Sequence, residues 1–307
     1  MKKICFITPY FGNCPRFFHI FLKSCEFNPS IDFIIYGDMK YSGNLPKNVR
    51  IIYSSLEDFN KMASKKLNCN LNIPSNYNFR SKSEKCIFKI TDLRPALGLI
   101  FSELLKNYDF WGTCDFDAIY GDIRKFTNHL LDKYDLITAH ESFIVAHFVL
   151  YSNINKVNKL FMDSKDWKKV FESNKRFSFN ECNKEWIKFN SRKTRLINDT
   201  EIESFTYIVE KASREGRINA LFKDLVYQVE GYTGKLRGDN WQLSYDRGKL
   251  YNEKGEEILY THYMQIKNKI RLPKRISDKF IINSREIKNI RYSKIKNFFK
   301  NIFNNQS

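Results

Sequence analysis

YDFWGTCDFDAIYGDI, residues 108–123, decides how this chain is read. Its apolar run Phe110-Trp111-Gly112-Thr113-Cys114 predicts a buried strand. The run ends in two acids, Asp115 and Asp117, on either side of Phe116, and Asp122 follows. In open α/β sheets, ligands bind beyond the carboxyl ends of strands. Carboxylates there are hard oxygen ligands, and an Asp-x-Asp pair holds Mg²⁺ or Mn²⁺ while leaving positions open for phosphate oxygens. The plainer alternative is a solvated turn bearing two surface acids.

The chain on either side supplies the context. KICFIT, residues 3–8, reads as a first strand, and RFFHIFLKSCEF, 16–27, has helical spacing before the stop at Asn28-Pro29. IDFIIYGD, 31–38, and NVRIIYSS, 48–55, are further strands, and LEDFNKMASKKL, 56–67, is helical. Strands alternating with helices predict a parallel sheet covered by helices. Residues 68–85 read as a loop, and a helix is expected from about Pro95. DLITAH, 135–140, and AHFVLYSN, 146–153, are strand candidates, and 154–230 reads as mostly helical with a start at Asp199. From 231 to 263 short strands return, with hairpin turns at Asp246-Arg247-Gly248 and Lys254-Gly255.

The 307 residues suffice for one large α/β domain or two small ones, and 42% hydrophobic content argues for a globular chain. The formal net charge of +18 suits a nucleic acid, an anionic membrane or an anionic substrate. Seven cysteines at wide spacing, with no CxxC pair, argue against a disulfide framework or structural zinc and for a reducing cytosol. MKKICFITPYF starts like a signal peptide, but Pro9 breaks the apolar run and no small-residue cleavage site follows.

The order TPYF, YGD, then KITDLRPALGLIF and FWGTCDFDAIYGDI resembles bacterial glycosyltransferases of the GT-A fold. The likeness is to a family of capsule and lipopolysaccharide gene clusters that reads K-x-x-D-x-R-P followed by F-W-G-x-C-D-x-D-x-x-x-G-D-I, and it extends to about residue 265. It implies a Rossmann-type, mostly parallel central sheet flanked by helices. It also implies transfer of a sugar from a nucleotide-diphosphate donor, UDP-sugar first, to a glycan or lipid-linked acceptor.

Carried over, Asp115 and Asp117 would bind Mn²⁺ or Mg²⁺, with His262 of ILYTHY completing the shell. Thr8, Pro9, Tyr10, Phe11 and Asp38 would meet the nucleoside, and Cys114, Asp115 and Phe116 would also bind the donor. Lys89, Asp92 and Arg94 would approach the nucleotide near a helix start, where phosphate is favoured. Glu181 of FSFNE would be the general base, although Asn180 stands where the family has an acid. Glu141 and Asp224 are alternatives, and His140 and His147 would line the acceptor side.

The tail SREIKNIRYSKIKNFFKNIF, 284–303, interleaves Ile and Phe with Lys and Arg at helical spacing. That pattern predicts an interfacial helix on an anionic membrane, with a helix packed on the domain as the alternative. A nucleic-acid arm is not expected, because the aromatics gather on the apolar side. The expected division is a domain over 1–265, with a nucleotide half to about 125 and an acceptor half from about 126, then a basic tail over 266–307. The expected place is the cytoplasmic face of the membrane. Two rival readings remain: a nucleotidyl- or phosphotransferase using the same metal site, and a basic binding module with a degenerate site.

Overall fold

The computed structural model describes residues 1–71, 73, 89–192, 194–228 and 241–290. It is a mixed α/β protein with a largely parallel central sheet. Two compact units share the chain, and each is assembled from separate segments. The first takes Met1–Cys14, Ser30–Asp115 and Asn128–Asp224; the second takes Pro15–Pro29, Phe116–Thr127 and the chain from Leu225.

The first unit holds a seven-stranded sheet. Its strands are β1 (Ile4–Pro9), β2 (Ile31–Gly37), β3 (Val49–Tyr53), β4 (Phe110–Cys114), β6 (Leu136–Thr138), β7 (Phe148–Ser152) and β8 (Ala220–Phe222). Their order is β3-β2-β1-β4-β7-β6-β8. β1 pairs in parallel with both β2 and β4. The chain therefore builds outward from β1 to β3 and then returns to β1's other edge with β4. That reversal is a topological switch point, where open sheets leave a crevice beyond their carboxyl ends. β7 runs antiparallel to both β4 and β6. Four of the six pairings are parallel, so the expectation of a mostly parallel sheet holds.

The sheet is fixed by buried aromatic and aliphatic side chains. Trp111 of β4 stacks on Tyr151 of β7 with ring centroids 4.1 Å apart. Its indole N–H donates to Asn158 Oδ1 at 2.7 Å, which satisfies its polar end. The helix α2 (Leu56–Leu67) covers one part of the sheet, burying Leu56, Phe59, Ala63 and Leu67. Ser55 caps it by accepting from Asp58 N, with Glu57 and Asp58 in the first turn.

The second unit contains the helix α1 (Phe18–Glu26) and two further sheets. Strands β5 (Ala118–Tyr120), β9 (Val226–Gln228) and β13 (Tyr260–His262) form one, in the order β5-β13-β9. Strands β10 (Gln242–Asp246), β11 (Lys249–Tyr251), β12 (Glu257–Ile258), β14 (Lys279–Asn283) and β15 (Ile287–Asn289) form the other. The β10–β11 turn has Arg247 and Gly248 both at positive φ, 44° and 85°, the backbone a two-residue hairpin requires.

Four expectations change. Residues 154–230, read as mostly helical, hold short helices separated by irregular chain and contribute the strands β8 and β9. The helix expected from Pro95 begins instead as a 3-10 turn, Ile90–Ala96, with Pro95 inside it and two short helices after it. The helix expected at Asp199 starts at Phe205, because Ser204 caps it through Tyr207 N while Asp199 pairs with Lys188 and Arg192. Residues 287–289 form strand β15, paired with β14 by burying Ile287 over Ile282, so the basic helix expected from 284 does not start there. The remainder of that tail, 291–307, lies outside the described residues.

Candidate metal centre

The switch point delivers the acids. Thr8, next to last in β1, lies beside the end of β4, and its hydroxyl donates to Cys114 O at 3.3 Å. Asp115 follows directly. Arg94, from the 3-10 turn, holds it through Nη2 and donates through Nη1 to Ala146 O at 2.8 Å. Burial disfavours the Arg94 charge, but the Asp115 and then the Glu181 carboxylates outweigh it, so the guanidinium pKa lies above its ordinary value.

Asp117 precedes β5 and is buried. The antiparallel pairing of β5 with β13 sets His262 opposite Ala118, and Tyr263 N donates to Asp117 O at 3.0 Å. His262 Nε2 then lies 3.4 Å from Asp117 Oδ1. Lys267, one turn beyond β13, donates to Asp117 Oδ2 at 2.8 Å. Burial pushes the Asp117 pKa up, and the His262 and Lys267 charges together more than reverse that, leaving it well below the usual carboxylate range.

Asp115, Asp117 and His262 each offer one ligand atom, and these atoms lie within 4.8 Å of one another. Two carboxylates and one imidazole suit a hard divalent cation, and three ligands leave positions for further oxygens. The residues therefore fit a metal of the Mg²⁺ or Mn²⁺ kind. Asp122 is not among them. Its Oδ1 accepts from Lys125 N at 2.9 Å and caps the short helix Ile123–Thr127.

The exit of β1 is held rigidly. Tyr10 N donates to Tyr36 O at 2.9 Å, and Gly12 N donates to Asp38 Oδ1 at 2.6 Å. Gly37 is what permits this approach: with φ at 152°, a Cβ there would lie 1.9 Å from Tyr10 O. Phe11 is buried against Phe59, so within this loop Tyr10 and Asp38 face outward more than Phe11 does. Phe116 is also buried, packed on Phe18 and Phe21 of α1. Cys114 is buried, and desolvation raises its thiol to about 12.

Lys89 and Asp92 take a different place from the one expected. Both are sealed in the core, with side chains 1% and 0% exposed. Lys89 Nζ donates to Asp92 Oδ2 at 3.0 Å and to Val170 O. Asp92 also accepts from Phe177 N and Phe179 N, each at 2.9 Å. A buried charge is tolerated when it is paired and hydrogen-bonded, and this pair meets that condition while pinning the 177–179 segment. The pinned segment leads to Glu181, whose carboxylate receives Ala146 N and Trp186 Nε1, both at 3.4 Å.

His140 and His147 are buried. His140 Nδ1 accepts from Ser142 N at 3.1 Å, and desolvation lowers its pKa despite the nearby Asp224. Asp224 accepts from Glu141 N at 3.0 Å.

Lys267 was not legible as a site residue. It lies 150 positions from Asp117 and has no periodic signal; only its place five residues after His262 hints at it.

The profile of a family of unknown function, DUF6625, matches residues 6–291. The chain belongs to that family. No curated protein matches it. Since DUF6625 carries no assigned activity, function has to be argued from the site.

Proposed function

We propose that this DUF6625 protein is a divalent-cation-dependent glycosyltransferase using a nucleotide-diphosphate sugar. One observation carries the reading: Asp115, Asp117 and His262 each offer a ligand atom within 4.8 Å of one another, and Asp115 directly follows β4, whose edge on β1 is the sheet's switch point. The GT-A resemblance of the sequence supports it. Asp115, Asp117 and His262 would hold Mn²⁺ or Mg²⁺, which when bound would neutralise the donor's phosphates and stabilise the departing nucleoside diphosphate. Lys267, already against Asp117, brings a cationic donor for phosphate oxygens. The Tyr10 and Asp38 loop would receive the nucleoside. Glu181 would take the proton of the acceptor hydroxyl as that oxygen bonds to the sugar and the sugar–phosphate bond breaks.

The location follows the charge. Residues 264–307 carry twelve Lys and Arg against two acids, more than half of the net +18. Within 264–290, Lys269, Arg271, Lys274, Arg275, Arg285 and Lys288 are exposed. No helix among the described residues is long and apolar enough to cross a membrane. A basic surface of this kind would hold the enzyme on an anionic leaflet, where lipid-linked glycans are extended.

Calorimetry with UDP, GDP and CMP, with and without Mn²⁺, tests the reading on the wild type and on Asp115→Ala/Asp117→Ala. The expected result is one nucleotide that binds only with the metal and not to the double variant. Metal-independent binding that survives the double substitution would sink it. Product analysis separates the rival: a sugar nucleotide cleaved between the phosphates, rather than at the sugar, means a nucleotidyl- or phosphotransferase.

A further inference from the structure

We infer that Arg94 is a relay that reports cation binding at Asp115 to Glu181. The inference rests on the metal site and the candidate base proposed above and adds a coupling between them.

The contacts form one continuous path. Arg94 Nη2 holds Asp115, and Nη1 donates to Ala146 O at 2.8 Å. The same carbonyl accepts from Thr113 Oγ1 at 2.8 Å, so it is tied to β4 as well. Ala146 N, from the other side of that residue, donates to Glu181 Oε1 at 3.4 Å. Glu181 Oε2 receives Trp186 Nε1 at 3.4 Å. Guanidinium and carboxylate thus grip the two polar ends of a single residue's backbone.

The two ends of the path differ in firmness. The turn bearing Arg94 cannot slide, because Asp92, two residues earlier, is locked to Lys89, Phe177 N and Phe179 N. Any response of Arg94 is therefore a side-chain movement. The bonds at Glu181 are at the long limit for N–H···O contacts, so they restrain it weakly. A dication on Asp115 competes with Arg94 for that carboxylate and repels the guanidinium. The other carboxylate whose charge Arg94 feels is Glu181. Arg94 then turns its charge toward Glu181 and Ala146, and the Glu181–Trp186 contact changes. In this way the candidate base would be set in place only once the metal is bound.

Trp186 is the reporter, one of four tryptophans, and its emission is the difference between wild type and Trp186→Phe. Mg²⁺ is the probe, since it is diamagnetic and does not itself quench indole. Each protein is titrated in parallel by calorimetry and by fluorescence. The expected result is a Trp186 emission shift whose midpoint matches the calorimetric one. In Arg94→Met, Mg²⁺ binding persists and tightens because its competitor is gone, while the emission shift is lost. Glu181→Gln, which leaves the Arg94–Asp115 pair intact, shrinks the shift to less than half and guards against a misfolded Arg94 variant. Binding heat with no emission shift in the wild type overturns the relay and leaves the metal site standing. A full shift retained in Arg94→Met overturns it too. Absence of binding heat in the wild type removes the metal site, and the relay with it.

Discussion

Two ion pairs involve the same 3-10 turn, Ile90–Ala96 and its cap Lys89, and they behave as opposites. Lys89–Asp92 is closed, with side chains 1% and 0% exposed. Arg94–Asp115 is open, at 14% and 26%. Asp92 accepts from two backbone N–H groups and one ammonium, all fixed by packing. Asp115 lies where a cation from solvent can compete for it. Both are cation–carboxylate pairs, but burial and two backbone N–H donors make the first a structural pin, while the second keeps a carboxylate open to solvent.

The comparison breaks most readily at Asp92. Asp92→Ala leaves Lys89 buried without a counter-charge and two N–H groups without their acceptor. It should cost about 3–5 kcal/mol in urea unfolding. Arg94→Ala should cost only about 1–2 kcal/mol. Equal losses would erase the distinction between pin and site.

Metal affinity sharpens the open end. His262→Ala should weaken Mn²⁺ binding by at least the roughly 10- to 100-fold seen for outer-shell changes, read by calorimetry. Lys89→Met should leave it within about threefold, because Lys89 does not reach the acids. A larger effect of Lys89 would place the closed pair in the site after all.

Glu210 is an intermediate case. Its side chain is 8% exposed, while its partners Arg195 and Arg214 are 31% and 58% exposed. Burial raises its pKa, but the bonds from Arg214 and Arg195 outweigh that and hold it below its ordinary 4.5. A depressed carboxylate stabilises the fold above the unfolded value and loses that contribution as pH falls through the folded one. Glu210→Gln should therefore cost about 1–2 kcal/mol at pH 7, and the gap to wild type should close below about pH 4.5. A gap independent of pH would assign Glu210 a packing role only.

The smallest effect belongs to Asp199, itself exposed, whose partners are the half-buried Lys188 and the exposed Arg192. Asp199→Asn should change stability by less than about 0.5 kcal/mol in thermal melts, and less still at high salt.

Sequence by itself determined the strands β1 to β4, helices α1 and α2, and the Asp-x-Asp at the end of β4. Each is written in a local pattern: a continuous apolar run, a helical period, or acids directly after a strand. The same logic located the turns at Arg247-Gly248 and Lys254-Gly255. It failed where two residue types have the same local meaning. Asp199 and Ser204 are both good caps, and only packing chose Ser204.

Tertiary structure decided the rest. The antiparallel entry of β7, the alignment of His262 with Ala118, and the approach of Lys267 to Asp117 are set by pairings between distant segments. Lys89, Asp92 and Arg94 read identically as charges beside a helix start. Whether each faces solvent, core or an acid depends on what packs over the turn, and that comes from residues 146 to 179. Local patterns record the period of a segment's own burial. They do not record which distant group will satisfy a buried charge, because that partner is chosen when the segments meet.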